Sequence, residues 1–168
     1  LAHLWVDPAH MPGMLLFDGL RGEGEVTYAA TLLPAAGFVV LEAPDVVRVA
    51  RLMGRGDPFD QIGSAMNANP PVDAMRSFAD AGVPEAAGCF TRLEEQALLE
   101  LVRSGAVTAD ALRSALGSGL EERRNYDPAA ASTALRQVAP ARTLIVDTAS
   151  LPAEAVAAQI AQFAQVLR

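Results

Sequence analysis

The sequence contains no lysine. All 13 of its basic residues are arginine, so no side-chain amine is present to form a Schiff base, act as a general base or hold phosphate as a point charge. Cys89 is the single cysteine, which excludes an internal disulfide and a multi-cysteine metal site. His3 and His10, the only histidines, both lie near the start, and no HxxH or HExxH spacing exists. No metal ligands are assigned on that basis. No apolar run reaches the length of a membrane-spanning helix, and the N-terminal stretch lacks the basic-then-apolar pattern of a secretion signal. A soluble, cytoplasmic protein with no membrane partner is therefore expected. The first residue is Leu1, which suggests a piece of a longer chain.

What is present suffices for a core. With 168 residues, 51% of them hydrophobic, the chain reads as a single domain spanning 1–168. A net charge of −7 argues against a general nucleic-acid binder, because counterion release needs a basic surface.

The most informative stretch is Gly37 to Asp60, GFVVLEAPDVVRVARLMGRGDPFD. Phe38-Val39-Val40-Leu41 has the length and β-branched content of a buried strand. Asp45 can cap the helix that follows, in which Val46, Val47, Val49, Ala50, Leu52 and Met53 alternate with arginines. Arg48, Arg51 and Arg55 fall at i, i+3 and i+7 on one helical face. Three arginines so spaced fit either a solvated face or a device for gripping phosphate.

Met14 to Phe17 is a second apolar run, read as a buried strand turning at Asp18-Gly19. Glu25 to Leu33 reads as a short helix, and Asp73 to Ala81 as another. Thr91-Arg92-Leu93-Glu94 matches a capping box, followed by an apolar stripe of Leu93, Ala97, Leu98, Leu101 and Val102. Thr108 caps the next helix, with Ala109, Leu112 and Leu116 inward and a stop expected at Gly117-Ser118-Gly119. These two helices resemble a helix-turn-helix in outline, but their charges are mostly acidic and a helical insert or lid fits better. Arg123 and Arg124 follow. An alanine-rich helix then runs to Val138, a third strand spans Thr143 to Val146 and ends at Asp147-Thr148, and a last helix carries Val156, Ile160, Phe163 and Leu167 on one face.

Short apolar strands separated by helices predict an α/β fold, a three-layer parallel sheet with helices on both faces. Residues 1–60 and 138–168 would form the α/β core and 61–137 a helical insert or lid. Because open α/β sheets bind ligands at the carboxyl ends of their strands, Asp18, Arg21, Glu42, Asp147 and Thr148 join the arginines as candidates.

In this order the features resemble the P-loop nucleoside and nucleotide kinases. FVVLEAPDVVRVARLMGRGD is similar to the strand, turn and arginine-bearing helix that precede the lid. LLFDGLRGEGEV is similar to a strand and loop of adenylate-kinase-like and dephospho-coenzyme A kinase-like proteins. TLIVDTASLPAEAVAAQI is similar to the last strand and helix of cytidylate-kinase-like enzymes. The resemblance implies an ATP-dependent phosphotransferase acting on a small molecule, with ATP and Mg²⁺ as donor pair. It implies that Asp18 sits near the metal and the acceptor, and that Arg51 and Arg55 neutralise the transferring phosphoryl group. Arg21, Arg48, Arg123 and Arg124 would serve the acceptor, and Asp147 and Thr148 would lie near the nucleotide.

One departure matters. No GxxxxGK followed by Ser or Thr occurs, and without lysine none can. The fold is thus expected to be P-loop-kinase-like but incomplete at its N-terminus, with a phosphate loop and a middle strand lacking, and this chain alone is expected not to transfer phosphate. A non-catalytic domain of the same fold, binding a phosphorylated ligand or a protein, is the alternative. An unpaired sheet edge would favour a homodimer.

Overall fold

The computed structural model describes residues 15–54, 75–127 and 129–167. Within them the chain is mixed α/β, with six α-helices and one two-stranded parallel sheet.

Helix α1 (Glu23–Leu32) starts where Glu25 turns back on the chain. Its Oε2 accepts the backbone N–H groups of Arg21 at 2.9 Å and Gly22 at 3.2 Å, which satisfies donors the helix start would otherwise leave open. Val26, Ala29 and Ala30 are buried on one face, spaced to meet a neighbouring helix. Strand β1 (Phe38–Glu42) follows. Arg142 fixes the junction between them, donating to the carbonyls of Ala30, Leu33 and Ala36 at 3.1, 3.0 and 2.6 Å. Its guanidinium also lies 5.6 Å from the centre of the Phe38 ring, close enough for a cation–π attraction.

Helix α2 (Asp45–Gly54) buries Val49 and Met53, one turn apart. The segment 75–88 is not the helix expected over Asp73 to Ala81. Residues 77–82 form a bend and turns, with Asp80 accepting from Arg76 N and Ser77 Oγ at 2.9 and 3.0 Å, and a short 3-10 helix follows over Pro84–Gly88. Asp80 and Ser77 side chains compete with a helical ladder in this way. Gly82, at φ 83, then takes a left-handed turn that side chains resist. Met75, Phe78 and Ala81 are nevertheless fully buried.

Helix α3 (Arg92–Arg103) has the expected capping box, Thr91 Oγ1 accepting from Glu94 N and Glu94 Oε2 from Thr91 N. Its buried face is Leu98, Leu99 and Val102, whereas Leu93 is 79% exposed. Helix α4 (Ala109–Asn125) is capped by Thr108 and buries Ala109, Leu112, Ala115 and Leu116. It does not stop at Gly117-Ser118-Gly119. A Cβ on Gly119 would meet Val49 at an ordinary contact distance of 3.7 Å, so glycine is not required for space there; α4 packs along α2, and this tertiary packing outweighs glycine's weak helix propensity.

Helix α5 (Ala130–Val138) packs on α1 and leads into strand β2 (Thr143–Asp147). The two strands pair in parallel from Phe38 opposite Thr143 to Glu42 opposite Asp147, so both end at the same edge. Helix α6 (Ala153–Val166) packs on β2, with Val156, Ile160, Phe163 and Leu167 half-buried as expected. A Cβ on Gly37 would clash with Leu167 Cδ1 and stand 3.1 Å from Phe163. Glycine is needed there for the approach, not for a turn.

Two apolar clusters result. One joins α2, the 75–86 segment, α3 and α4, and each of its buried leucines contributes about 1.5–3 kcal/mol by leaving water. The other joins α1, β1 and α5. Helix α5 thus packs with the strands, while α2 faces the helices.

The strand expected at Met14 to Phe17 is not found over its described part, 15–17, which is irregular and exposed, Leu16 by 77%. An apolar run becomes a buried strand only where an edge bonds it and layers cover it. Among the described residues two strands, not three, make the sheet. No helix among them is long and apolar enough to cross a membrane.

Candidate functional site

The carboxyl ends of β1 and β2 are stitched together by Thr148. Its backbone N–H and its hydroxyl both donate to the Glu42 carbonyl, at 2.8 and 3.0 Å. Beside this edge lies an open cleft of about 640 Å³, lined by Val40, Leu41, Glu42, Arg48, Glu122 and Asp147 among others. Asp147 turns its carboxylate onto the start of the next loop, accepting from Ala149 N at 2.8 Å and Ser150 Oγ at 3.0 Å. The Ala149 N–H above all, then the Ser150 hydroxyl, and lastly the charge of Arg51 hold its carboxyl below the usual range.

Arg51 reaches this edge from α2. Its Nη1 donates to Thr148 Oγ1 at 2.9 Å, and its Nη2 donates to the Thr148 carbonyl. Both acceptors are uncharged. A guanidinium has five N–H donors, so two bonds to neutral oxygens leave most of them available, although its charge also acts on nearby Asp147.

Arg48 and Arg123 are placed differently. Arg48 pairs with Asp45, at 3.3 Å, and with Glu122. Arg123 pairs with the same Asp45, its Nε 2.7 Å from Oδ2. Donating to Asp45 raises the pKa of Arg123 and holds its charge against that carboxylate. Two arginines and two carboxylates here cancel. The cluster ties the first turn of α2 to the last turn of α4, where an acidic residue and a basic residue also suit the respective helix dipoles.

The other candidates lie apart. Arg124 points to Glu121 at 2.7 Å. Asp18 and Arg21 are exposed in the irregular lead into α1. Among the described residues no hydrogen bond or ion pair joins either side chain to Arg51, Asp147 or Thr148. Arg55 lies outside the described residues. Of the expected residues the structure brings together Arg51, Asp147 and Thr148 in one group, and Arg48 with Arg123 in another. Glu122 had escaped notice, although an acidic pair beside Arg123-Arg124 is the signal of an internally neutralised surface.

Three of the helix starts among the described residues are poorly suited to cradle a nucleotide triphosphate, whereas α5 and α6 begin without a side-chain cap. The N-terminus of α1 is closed by Glu25, that of α3 by Thr91 and Glu94, and α2 begins with Asp45. Each places a carboxylate where a phosphate would need bare N–H groups. No three His, Cys, Asp or Glu side chains among the described residues group as a metal site.

No family model, curated protein or solved structure matches the chain, so its functional reading rests on these residues.

Proposed function

We propose that the chain supplies the arginine-bearing side of an ATP-dependent phosphotransferase of the P-loop nucleoside and nucleotide kinase type, working in the cytoplasm on a small molecule, with ATP and Mg²⁺ as donor pair. In this reading the described α/β elements are part of a three-layer sheet, and Arg51 neutralises a phosphoryl group at the carboxyl end of the parallel strands. The observation that carries it is that Arg51 is pinned at that edge by neutral oxygens, while its neighbours Arg48 and Arg123 are consumed by carboxylates. A guanidinium held in place by neutral oxygens, with no carboxylate among the described residues bonded to it directly, keeps donors for a phosphoryl group.

The second reading is a non-catalytic domain that binds a phosphorylated ligand. It is favoured by the absence of lysine and by the carboxylates at the helix starts. Both readings use Arg51, and titration separates them from a purely structural role. Inorganic tripolyphosphate should bind the 168-residue chain weakly and saturably at low salt. Arg51→Gln should abolish that binding. Mg·ATP should bind no tighter than tripolyphosphate, because no lysine adds to the grip. Equal binding by the wild type and the Arg51→Gln protein would refute the assignment, and tight Mg·ATP binding would refute the account of what these residues lack.

A further inference from the structure

A second hollow adjoins Arg51. Between α2 and α3 runs a groove of about 440 Å³, lined by Val46, Val47, Ala50, Ala97, Leu98 and Leu101, with Arg51 as the only charged residue among the described ones that line it. Its size is within the range of small-molecule sites. Its walls differ in kind from the cleft at the strand ends, which Arg51 does not line and where Glu42, Glu122 and Asp147 stand around Arg48. An apolar body entering that cleft would strip water from carboxylates and gain nothing for it. In the groove it would meet only aliphatic carbon and the methylene stem of Arg51.

We infer that the groove between α2 and α3 holds the hydrocarbon body of a soluble phosphomonoester whose phosphate is held by Arg51. The inference rests on the reading of Arg51 as a phosphate ligand and extends it to the class of molecule bound. Three features converge on that class. The walls are uncharged, so they favour hydrocarbon over a sugar or a charged body. One guanidinium at the margin keeps donors to spare, so it favours a single anionic group. The groove and the guanidinium are served by the same helical face, since Val47 and Arg51 are one turn apart on α2. One short molecule can therefore touch both.

A homologous series tests this. The chain would be titrated calorimetrically with inorganic phosphate and with methyl, butyl and hexyl phosphate, all as free monomers in solution. Affinity should rise about two- to fourfold for each methylene that enters the groove. Ala97→Gln, an exposed position on the groove wall, should blunt that rise without adding charge beside Arg51, so that inorganic phosphate binding changes little, with the helical circular dichroism intact. Arg51→Gln should weaken every ester by a common factor and leave the slope.

Esters that bind through Arg51 with no dependence on chain length would overturn the groove assignment alone. No binding of inorganic phosphate or any ester would overturn it together with the phosphate role of Arg51. Hexanol binding as tightly as hexyl phosphate, or binding confined to phosphatidate vesicles, would overturn the ligand class.

Discussion

Arg51 donates to both the side-chain and the main-chain oxygen of Thr148, and Thr148 donates twice to Glu42. This chain of bonds locks α2 to the ends of both strands. Thr148→Val removes the hydroxyl and with it one bond given and one received. A loss of about 1–2 kcal/mol in unfolding free energy is expected, since each such bond contributes roughly 1 kcal/mol net. Denaturant midpoints at constant slope would measure it. A neutral result would mean the lock is not formed in solution.

Asp45 accepts from two arginines. Asp45→Ala leaves both without their shared partner and takes an acidic residue from the first turn of α2, so a loss of about 1–3 kcal/mol is expected. A double-mutant cycle with Arg123→Gln should show coupling well above the experimental error. Strict additivity would show that the α2–α4 contact depends on the apolar cluster alone.

Phe78 is fully buried and meets Phe90 edge-on, with ring centres 5.5 Å apart. Phe78→Ala should cost about 3–5 kcal/mol through lost transfer energy and a cavity, enough to unfold a marginal domain. Retention of the native melting temperature would place the 75–86 segment outside the core.

Glu25, Asp80, Glu94 and Asp147 all have carboxyl pKa values lowered in the fold, in each case first of all by backbone N–H groups. A lowered folded-state pKa means that the unfolded chain binds more protons. The stabilisation is complete above the ordinary carboxylate range, about pH 4, and is lost as pH falls through the folded values. Melting temperature should be level from neutral pH down to that range and then fall. Glu94→Gln should flatten part of the fall while preserving the helix cap. A decline that begins near neutral pH would point to other groups.

The sequence made β1, α2, α3, β2 and α6 legible because each has a local signal: an apolar β-branched run, a capping residue, or a one-turn apolar period. It misplaced the elements whose state is decided at a distance. Gly117 and Gly119 look like a helix stop, but packing of α4 against α2 carries the helix through them. That continuation is what brings Arg123 to Asp45. The run Leu15-Leu16-Phe17 has strand composition but no pairing among the described residues. For the site, residue type identified the arginines, yet could not say which of them carboxylates would neutralise. Arg48 and Arg51 are three residues apart on one helix, and only the fold separates their roles.

The sharpest test compares those two arginines. Tripolyphosphate affinity would be measured at low salt for the wild type, Arg51→Gln and Arg48→Gln, each confirmed as folded. The account predicts loss of binding in Arg51→Gln and a change of no more than a few-fold in Arg48→Gln. Equal loss in both, or loss in Arg48→Gln alone, would contradict it.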